Sequence, residues 1–358
     1  MRHLATLFLS TLLLPLTLSS QSSAKWLETT HNFGAFSEND GKVTCTFRFV
    51  NDGQTPLIIQ SARATCGCTT PDYSKAPIAP GDTGMVKVSY NPTGRPGRFD
   101  KKIYVDLNTE PSRCALTIMG SVIGTPATIG QRYPAEAGPF RLRNASIPFG
   151  EVYTGHGKTF FLDIYNTTTE PLVPRWQQLP PYITYTAARD TIYPGENLAF
   201  TFTLTADKAP MLGLLTDSIM LAPGHGYEPI PVPVMAMVKE DFSKLTGGQR
   251  LNAPEIAVSD PTLDFDKISR AAGKTSKTFT ITNRGKDQLI LRRVYTADPG
   301  ITIETSATKI KKGKTATITV TVDPAQLPAD MLNARINIIA NDPMDPVTIV
   351  RAVGLLTP

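Results

Sequence analysis

Two of the four cysteines stand on either side of one glycine, in the sequence ATCGCTT that contains Cys66, Gly67 and Cys68. Residues i and i+2 of an extended strand share a face, with Cα atoms about 6.6 Å apart, near the upper limit for a disulfide. Gly67 lets the backbone kink and shorten that distance. The pair can therefore form a small strained bridge that is easily reduced, or two thiolates that hold a soft metal ion such as copper(I).

Three interpretations of Cys66 and Cys68 stay open. A structural bridge, or a pair of thiols near a strand end, is favoured because the other two interpretations lack supporting residues; a turn signal follows at Pro80-Gly81-Asp82. A redox-active pair would lack the C-x-x-C helix N-terminus that lowers a thiol pKa. A copper(I) site would lack a nearby histidine or methionine, since Met85 lies beyond the turn.

The remaining polar residues give no positive sign of catalysis. The histidines are spread over separate parts of the chain, and no H-E-x-x-H, G-x-S-x-G or glycine-rich phosphate loop is present. Asp342 and Asp345 lie in a proline-rich turn, where turn and capping chemistry is the simplest interpretation, because calcium needs more oxygen ligands. The sequence therefore predicts no catalytic residue, no metal and no cofactor, in a protein that is not an enzyme.

The N-terminus has the pattern of an export signal. A short basic start precedes an apolar run over residues 4–18, and small residues at Ser22 and Ala24 predict cleavage after Ala24. The run is too short for a membrane span, no later segment is apolar enough, and no cysteine stands at the exit. The expected mature protein is exported and soluble, in a compartment that permits disulfides.

The charge of the expected mature chain is modest. Removal of residues 1–24 takes away one arginine, which leaves 35 basic against 31 acidic residues, a net charge of +4. The basic residues are dispersed except in KIKKGK at 309–314, a pattern typical of a solvated turn before a strand. Neither this charge nor the export signal favours a nucleic-acid partner.

One unit occurs three times along the chain. Phe33, Phe149 and Phe265 lie 116 residues apart. Each is followed at the same distance by a Gly-Lys pair, then by an alternating apolar strand, and the strand is closed by an asparagine: Asn51, Asn166 or Asn283. A self-similar period of this length indicates a repeated structural unit.

The pattern within each unit has period two. In TCTFRFVN, Cys45, Phe47 and Phe49 share one face, which is typical of an antiparallel strand with one buried side. The predicted fold class is all-β, with three tandem immunoglobulin-like sandwiches after the signal peptide. The phenylalanines would fill the core where the first strand switches sheets, and the asparagines would cap a bend. The predicted domains cover residues 25–123, 141–239 and 256–358, and the linkers are 124–140 and 240–255.

The other two cysteines both face inward in this scheme. Cys45 lies on the second strand, and Cys114 is in phase with Leu116 and Ile118 on the last strand. If these strands run the same way in opposite sheets, their beginnings lie at one end of the sandwich. A Cys45–Cys114 bridge across the core is then feasible, and the alternative is two buried free thiols.

The first unit resembles a bacterial family known only as domain of unknown function 1573. The resemblance depends on the strand that ends in Asn51, on Cys66-Gly67-Cys68-Thr69, on Pro80-Gly81 and on Gly97-Arg98-Phe99. The linker YPAEAGPFRLRN followed by FGEV is similar to tandem members from the Bacteroidetes. The family resembles the wider group of major-sperm-protein and pilus-chaperone sandwiches, which implies an exported envelope protein and supplies no activity.

Two functional hypotheses follow. The first is a non-catalytic protein of the periplasm or cell envelope of a Gram-negative bacterium, in which three sandwiches form a structural or protein-binding array. Its partner would be another envelope protein, engaged at exposed strand edges or loops. The second is a periplasmic thiol-redox or copper-handling protein that works through Cys66 and Cys68.

Overall fold

The computed structural model describes residues 22–328 and 330–358, and these residues fold into three β-sandwiches built from six sheets. The all-β, immunoglobulin-like fold predicted from the alternating pattern is confirmed. The second and third sandwiches belong to one compact unit, which comprises Tyr133–Tyr165, Leu172–Ile192 and Asn197–Pro358. Among the described residues, no helix has the length and apolarity that crossing a membrane requires.

The first sandwich contains eight strands. One of its sheets has the strand order β1-β3-β6-β5 and the other has the order β2-β8-β7-β4. The strands are β1 (Ala24–Trp26), β2 (Thr30–Ser37), β3 (Val43–Asn51), β4 (Ile59–Ala64), β5 (Thr69–Tyr73), β6 (Thr83–Tyr90), β7 (Gly97–Leu107) and β8 (Arg113–Ile123).

The second sandwich packs a five-stranded sheet, in the order β14-β15-β12-β10-β9, with a four-stranded sheet in the order β11-β17-β16-β13. Its strands are β9 (Ala135–Ala137), β10 (Phe140–Leu142), β11 (Ile147–Tyr153), β12 (Gly157–Asn166), β13 (Arg175–Gln177), β14 (Ile183–Ala187), β15 (Asn197–Thr205), β16 (Gly213–Ala222) and β17 (Ile230–Lys239).

The third sandwich pairs a sheet in the order β18-β20-β24-β22 with one in the order β19-β26-β25-β21-β23. Its strands are β18 (Ile256–Val258), β19 (Thr262–Ser269), β20 (Thr275–Asn283), β21 (Leu289–Tyr295), β22 (Ile301–Thr305), β23 (Lys309–Ile310), β24 (Thr315–Val322), β25 (Met331–Ala340) and β26 (Val347–Thr357). Helices are short: α1 (Pro126–Ile129), α2 (Gly247–Asn252) and 3-10 turns at Glu38–Asp40, Ala206–Lys208 and Pro324–Gln326.

The alternation in the sequence sets which side chains enter each core. In β3, Cys45, Phe47 and Phe49 are buried, and in β24 the apolar residues alternate with exposed or half-exposed threonines. Each sandwich has its own apolar cluster, formed by the inward faces of its two sheets. This is the expected outcome of a period-two pattern with one wet side.

The three repeat phenylalanines lie at the same irregularity. In each sandwich the first long strand pairs in parallel with the last strand, and the register shifts next to Phe33, Phe149 or Phe265. Phe149 and Phe265 are buried, whereas Phe33 is only half-buried and stacks edge-on against His31. Phe36, 9% exposed, is the buried ring of this strand in the first sandwich.

The segment between the first and second sandwiches is partly structured. The end of the predicted linker 124–140 contributes β9 and the start of β10 to the five-stranded sheet. Ala137, Phe140 and Leu142 belong to the core of the second sandwich. The predicted leader 1–24 lies outside the described residues up to residue 21, and Ala24 pairs with Asn51 in the first sheet.

The second and third sandwiches meet through specific side chains. The Arg292 guanidinium donates two hydrogen bonds to the carboxylate of Glu240, at 2.8 and 3.0 Å. Arg293 lies over the ring of Tyr295, 3.7 Å from its centroid, and the Tyr295 hydroxyl accepts from the Leu214 N–H at 2.8 Å. Tyr295 packs against Gly213, whose φ of +92° suits glycine. The predicted linker 240–255 therefore contains α2 and supplies Glu240 to this contact.

Candidate functional site: the Cys66–Cys68 turn

The Cys66–Cys68 turn lies where the chain of the first sandwich crosses from one sheet to the other. It connects β4, at the edge of one sheet, with β5, at the edge of the other. The Thr65 N–H donates to the carbonyl of Lys102 in β7, and the Asn91 N–H donates to the carbonyl of Cys68. The turn is therefore anchored to both sheets by main-chain hydrogen bonds.

Cys66 and Cys68 are joined by a disulfide, with an S–S distance of 2.01 Å and Cα atoms 5.4 Å apart. The separation is shorter than the span of an extended strand, because the Thr69 N–H donates to the Cys66 carbonyl and closes a tight turn. The φ of Gly67 lies outside the left-handed region, and a Cβ added there would meet no atom within 4 Å. The turn shortens the distance without a conformation reserved for glycine.

The two cysteine residues differ in burial. Cys68 is 9% exposed and belongs to the core, whereas Cys66 is half-buried and packs at the core's margin. The hydroxyl of Thr69, which is itself buried, lies 3.6 Å from the Cys66 sulfur and 3.8 Å from the Cys68 sulfur. A thiol from outside would therefore meet Cys66 first, on the side of the exposed Gly67.

The other two sandwiches contain the same turn with proline instead of a disulfide. Register identifies the equivalent positions: Thr69 pairs with Tyr90, Ile183 with Leu204 and Ile301 with Val322. The three residues before these strands are therefore equivalent, and they read Cys66-Gly67-Cys68, Pro180-Pro181-Tyr182 and Asp298-Pro299-Gly300.

One main-chain hydrogen bond of the turn is shared by all three sandwiches, and a second is shared by the first two. The carbonyls of Cys68, Tyr182 and Gly300 accept from the N–H groups of Asn91, Thr205 and Asp323, each at the end of the neighbouring strand, at 2.7–2.9 Å. The Ile183 N–H donates to the Pro180 carbonyl as Thr69 does to Cys66. The middle residue is Gly67 in the first sandwich and proline in both others, so the disulfide stands where the other repeats restrict the backbone with a pyrrolidine ring.

The hypothesised Cys45–Cys114 bridge is not formed, and both residues are free thiols. β2 runs parallel to β8, with Ser37 opposite Ile123, and β3 begins only six residues after Ser37. β3 therefore begins near the end of β8, not near its beginning. The strands that contain Cys45 and Cys114, β3 and β8, therefore run in opposite directions. The bridge was predicted on the assumption that they run the same way, and that assumption was wrong.

Burial makes both free thiols poor nucleophiles. Desolvation, with a smaller contribution from Glu28, raises the pKa of Cys45 to about 11. Burial also raises the pKa of Cys114 above its ordinary value. Thiolates are the reactive form, so near neutral pH neither residue is set up for thiol chemistry.

The repeat asparagines organise the bend after the second strand of each sandwich. Asn51, Asn166 and Asn283 are fully buried. The side-chain amide of each donates to the carbonyl four residues later and accepts from the N–H two residues later. The amides of Asn51 and Asn283 also donate to the carbonyls of Ile78 and Ile310. Each asparagine thus satisfies main-chain groups that would otherwise be buried without partners.

A buried carboxylate, Glu38, lies at the other end of the first sandwich, just before the start of β3. Glu38 accepts from the Gly94 N–H and from the Thr128 hydroxyl. Burial raises the pKa of Glu38, but the hydrogen bonds from Thr128, Gly94 and Thr125 outweigh it, so the net pKa is lowered. This carboxylate is held ionised as a structural acceptor.

Other charged groups are engaged in surface pairs. Asp106 accepts from Arg113, Ser61 and Arg63, and these hydrogen bonds hold its pKa well below the usual range. Asp241 accepts from the main chain and hydroxyl of Ser243 and lies 3.2 Å from a nitrogen of His156, with a pKa lowered to about 2. Within residues 22–328 and 330–358, no three histidine, cysteine or acidic side chains come together as a metal site.

Comparison with known proteins supports the architecture. Residues 24–122 match the family model "Protein of unknown function (DUF1573)", which confirms the resemblance seen in the first unit. Residues 254–352 match the model of HYDIN/CFA65/VesB-like Ig-like domains. No curated protein sequence matches the chain.

Several solved structures align with parts of this chain. A protein of unknown function from Porphyromonas gingivalis is 21% identical, with coverage of 61% of this chain and 100% of that one and a TM-score of 0.47. The YadV chaperone is 11% identical, with coverage of 60% and 99% and a TM-score of 0.23. The secreted serine protease VesC from Vibrio cholerae is 11% identical, with coverage of 52% and 47% and a TM-score of 0.27.

Proposed function

We propose that this chain is a non-catalytic, exported envelope protein whose three immunoglobulin-like sandwiches form a protein-binding array. The supporting observation is the equivalence of the Cys66–Cys68 turn with the proline turns of the other two repeats. The most chemically distinctive pair in the chain has a structural counterpart in sandwiches that contain no cysteine. Its presence needs no reaction to account for it.

The proposal makes the disulfide and proline interchangeable. Cys66→Ser/Cys68→Ser removes the bridge, and the same variant with Gly67→Pro adds the ring that Pro181 and Pro299 supply in the other repeats. Proline at a compatible position stabilises by about 0.4–1 kcal/mol through the unfolded chain, so we expect it to recover part of the lost stability. Equilibrium denaturation of the full chain measures both variants against the wild type.

Partner binding is measured separately. Crosslinking pull-downs from envelope fractions, with the wild type and both variants, identify the bound proteins by mass spectrometry. We expect the same partners with the wild type and the proline variant. Loss of every partner in both cysteine-free variants, despite restored stability, would show that the sulfur atoms themselves are required.

The second candidate function is thiol-disulfide exchange at Cys66. It is favoured by the position of Cys66, a half-buried residue beside the exposed Gly67, because an attacking thiolate needs access to one sulfur of the bridge. Copper(I) binding would require the reduced form of the same pair. Redox titration and copper(I) competition on the wild type and on Cys66→Ser/Cys68→Ser test this function. An oxidising potential or tight copper binding that the variant loses would favour it over the array.

A further inference from the structure

The third sandwich has an open strand edge at β22. This strand, Ile301–Thr305, is the last in its sheet and pairs only with β24. The Asp323 N–H donates to the Gly300 carbonyl at 2.7 Å, and the Ser306 N–H donates to the Thr317 carbonyl at 3.0 Å. These two bonds fix which residues of β22 face its partner.

Antiparallel ladders alternate between residues that bond the partner and residues that point away from it. The main-chain groups of Gly300 and Ser306 form hydrogen bonds toward β24. Every second residue does the same, so the main-chain groups of Thr302 and Glu304 also face β24. The main-chain groups of Ile301, Ile303 and Thr305 therefore point outward. No partner for their N–H groups lies among the described residues, which leaves three consecutive sites for an added strand.

The matching edge of the first sandwich is closed. Pro71 in β5 occupies the position of Ile303, since Pro71 pairs with Val88 as Ile303 pairs with Val320. Proline has no N–H, so the central donor of that edge is missing. Lys75 follows β5 and adds a charge at this edge, with its ammonium 3.3 Å from the ring centroid of Tyr73. Both devices are known ways of blocking edge-to-edge pairing.

The matching edge of the second sandwich is intermediate. In β14, Tyr185 occupies the position of Pro71, and its N–H is not removed. The first outward donor, on Ile183, is already taken by the Pro180 carbonyl. This edge therefore offers a shorter run of donors than β22.

The side chains along β22 define the chemistry of an added strand. Ile301 and Ile303 are half-buried and pack against the core of the third sandwich, so a neighbouring strand would complete their burial. Beyond the end of β22 lies KIKKGK, residues 309–314, in which β23 leads into a lysine-rich turn. Its four lysines are exposed, and none forms an ion pair with the residues that the structure describes.

We propose that the β22 edge binds an extended acidic segment of a partner protein by strand addition, with alternate apolar side chains facing the core. This inference rests on the proposed protein-binding function and names the surface that carries it. The apolar side chains would cover Ile301 and Ile303, and the acidic end would lie beside the lysine turn. Main-chain bonds supply the affinity, and the side-chain alternation and charge supply the selectivity.

The test uses the full chain and a labelled ten-residue synthetic peptide, in which valine and threonine alternate over six positions between two aspartates at each end. Ile303→Pro copies Pro71 and removes one outward donor without touching the β22–β24 bonds. Ile303→Val keeps the donor and a β-branched side chain. Tyr185→Pro makes the matching change in β14.

We expect Ile303→Pro to weaken peptide binding at least tenfold, and Ile303→Val and Tyr185→Pro to stay within twofold of the wild type. Replacing the aspartates by lysines should weaken binding, and so should raising the salt concentration. Amide hydrogen exchange on the wild type should show new protection at Ile303 and Thr305 and no change at Thr302. This measurement does not depend on how well the proline variant folds.

Failure of this inference can be told apart from failure of the proposed function. Equal peptide binding by the wild type and Ile303→Pro, no binding by the wild type, or no new protection at Ile303 would each overturn the β22 site. If Ile303→Pro still captures the crosslinked envelope partners, the binding array stands and uses another surface. If the wild type captures none, the array itself is refuted.

Discussion

The sharpest stability prediction concerns Asn51, which is buried at the bend after β3. Its amide donates to the carbonyls of Thr55 and Ile78, both at 2.9 Å, and its oxygen accepts from the Gly53 N–H at 3.1 Å. Asn51→Ala removes all three bonds and leaves their main-chain partners without a substitute. At a net cost of about 1 kcal/mol for each bond, with added desolvation of the unpaired groups, the expected loss is about 3–4 kcal/mol.

The chain offers a reporter for the sandwich that contains Asn51. It has two tryptophans, and Trp26 packs on Phe49 with ring centroids 4.7 Å apart, two residues from Asn51 along β3. In a Trp176→Phe background, the fluorescence of Trp26 follows the first sandwich alone. With a urea slope of about 1 kcal/mol/M for a domain of this size, the midpoint should fall by about 3 M.

Two further variants separate hydrogen bonding from shape. Asn51→Asp keeps the side-chain volume and the acceptor for the Gly53 N–H. It replaces the amide that donates to two carbonyls by a carboxylate oxygen, which cannot donate, so this variant should be no more stable than Asn51→Ala. Asn39→Ala, at an exposed position, should stay within about 0.5 kcal/mol of the parent. A midpoint unchanged in Asn51→Ala, or fully restored in Asn51→Asp, would refute the reasoning.

Three other predictions follow from the described contacts. Reduction of the Cys66–Cys68 bridge should destabilise the first sandwich by about 1.5 kcal/mol, the chain-entropy value for a loop this short, in denaturation with and without reductant. The pKa of Glu38 is lowered in the folded state, so its contribution to stability is present above the ordinary carboxyl pKa of about 4.3 and is lost as the pH falls through the folded-state pKa. Glu38→Gln should therefore reduce the dependence of the unfolding free energy on pH in the acid range. Gly213→Ala would place a Cβ 2.9 Å from the Tyr295 hydroxyl, at a φ of +92°. The second sandwich should therefore lose about 1–3 kcal/mol of stability, measured by denaturation followed by tryptophan fluorescence, and an unchanged midpoint would contradict this strain.

The sequence predicts the sandwich architecture well because burial alternates with period two. Phe47 and Phe49 enter the core as the pattern requires, and the repeat of Phe149 and Phe265 locates the same register shift in two sandwiches. The sequence does not predict the strand direction correctly. Local alternation shows that Cys45 faces inward, but it contains no information on the direction of the strand in the facing sheet. That direction depends on the parallel pairing of β2 with β8, a long-range contact that no local pattern contains.

The equivalence of the disulfide turn with the proline turns was also hidden in the sequence. Thr69 and Ile183 lie 114 residues apart and Ile183 and Ile301 lie 118 apart, whereas the phenylalanines are 116 apart. Loops of different length therefore moved the turns out of the common period. Strand register restores the alignment, because it counts positions from a paired neighbour and not along the chain.

The same alignment shows that the three similar sandwiches differ in how far one equivalent strand edge is open to another strand. A sandwich with an open edge associates through it, so a tandem array must protect each edge that is not meant to bind. At one equivalent position the chain has Pro71, which lacks an outward N–H, and Tyr185 and Ile303, which keep it; in β14 the N–H of Ile183 is already bonded to the Pro180 carbonyl. The first sandwich combines its closed edge with the disulfide, and both features favour a rigid domain. The third combines its open edge with free lysines among the described residues, and it is therefore where we expect an extended partner to bind.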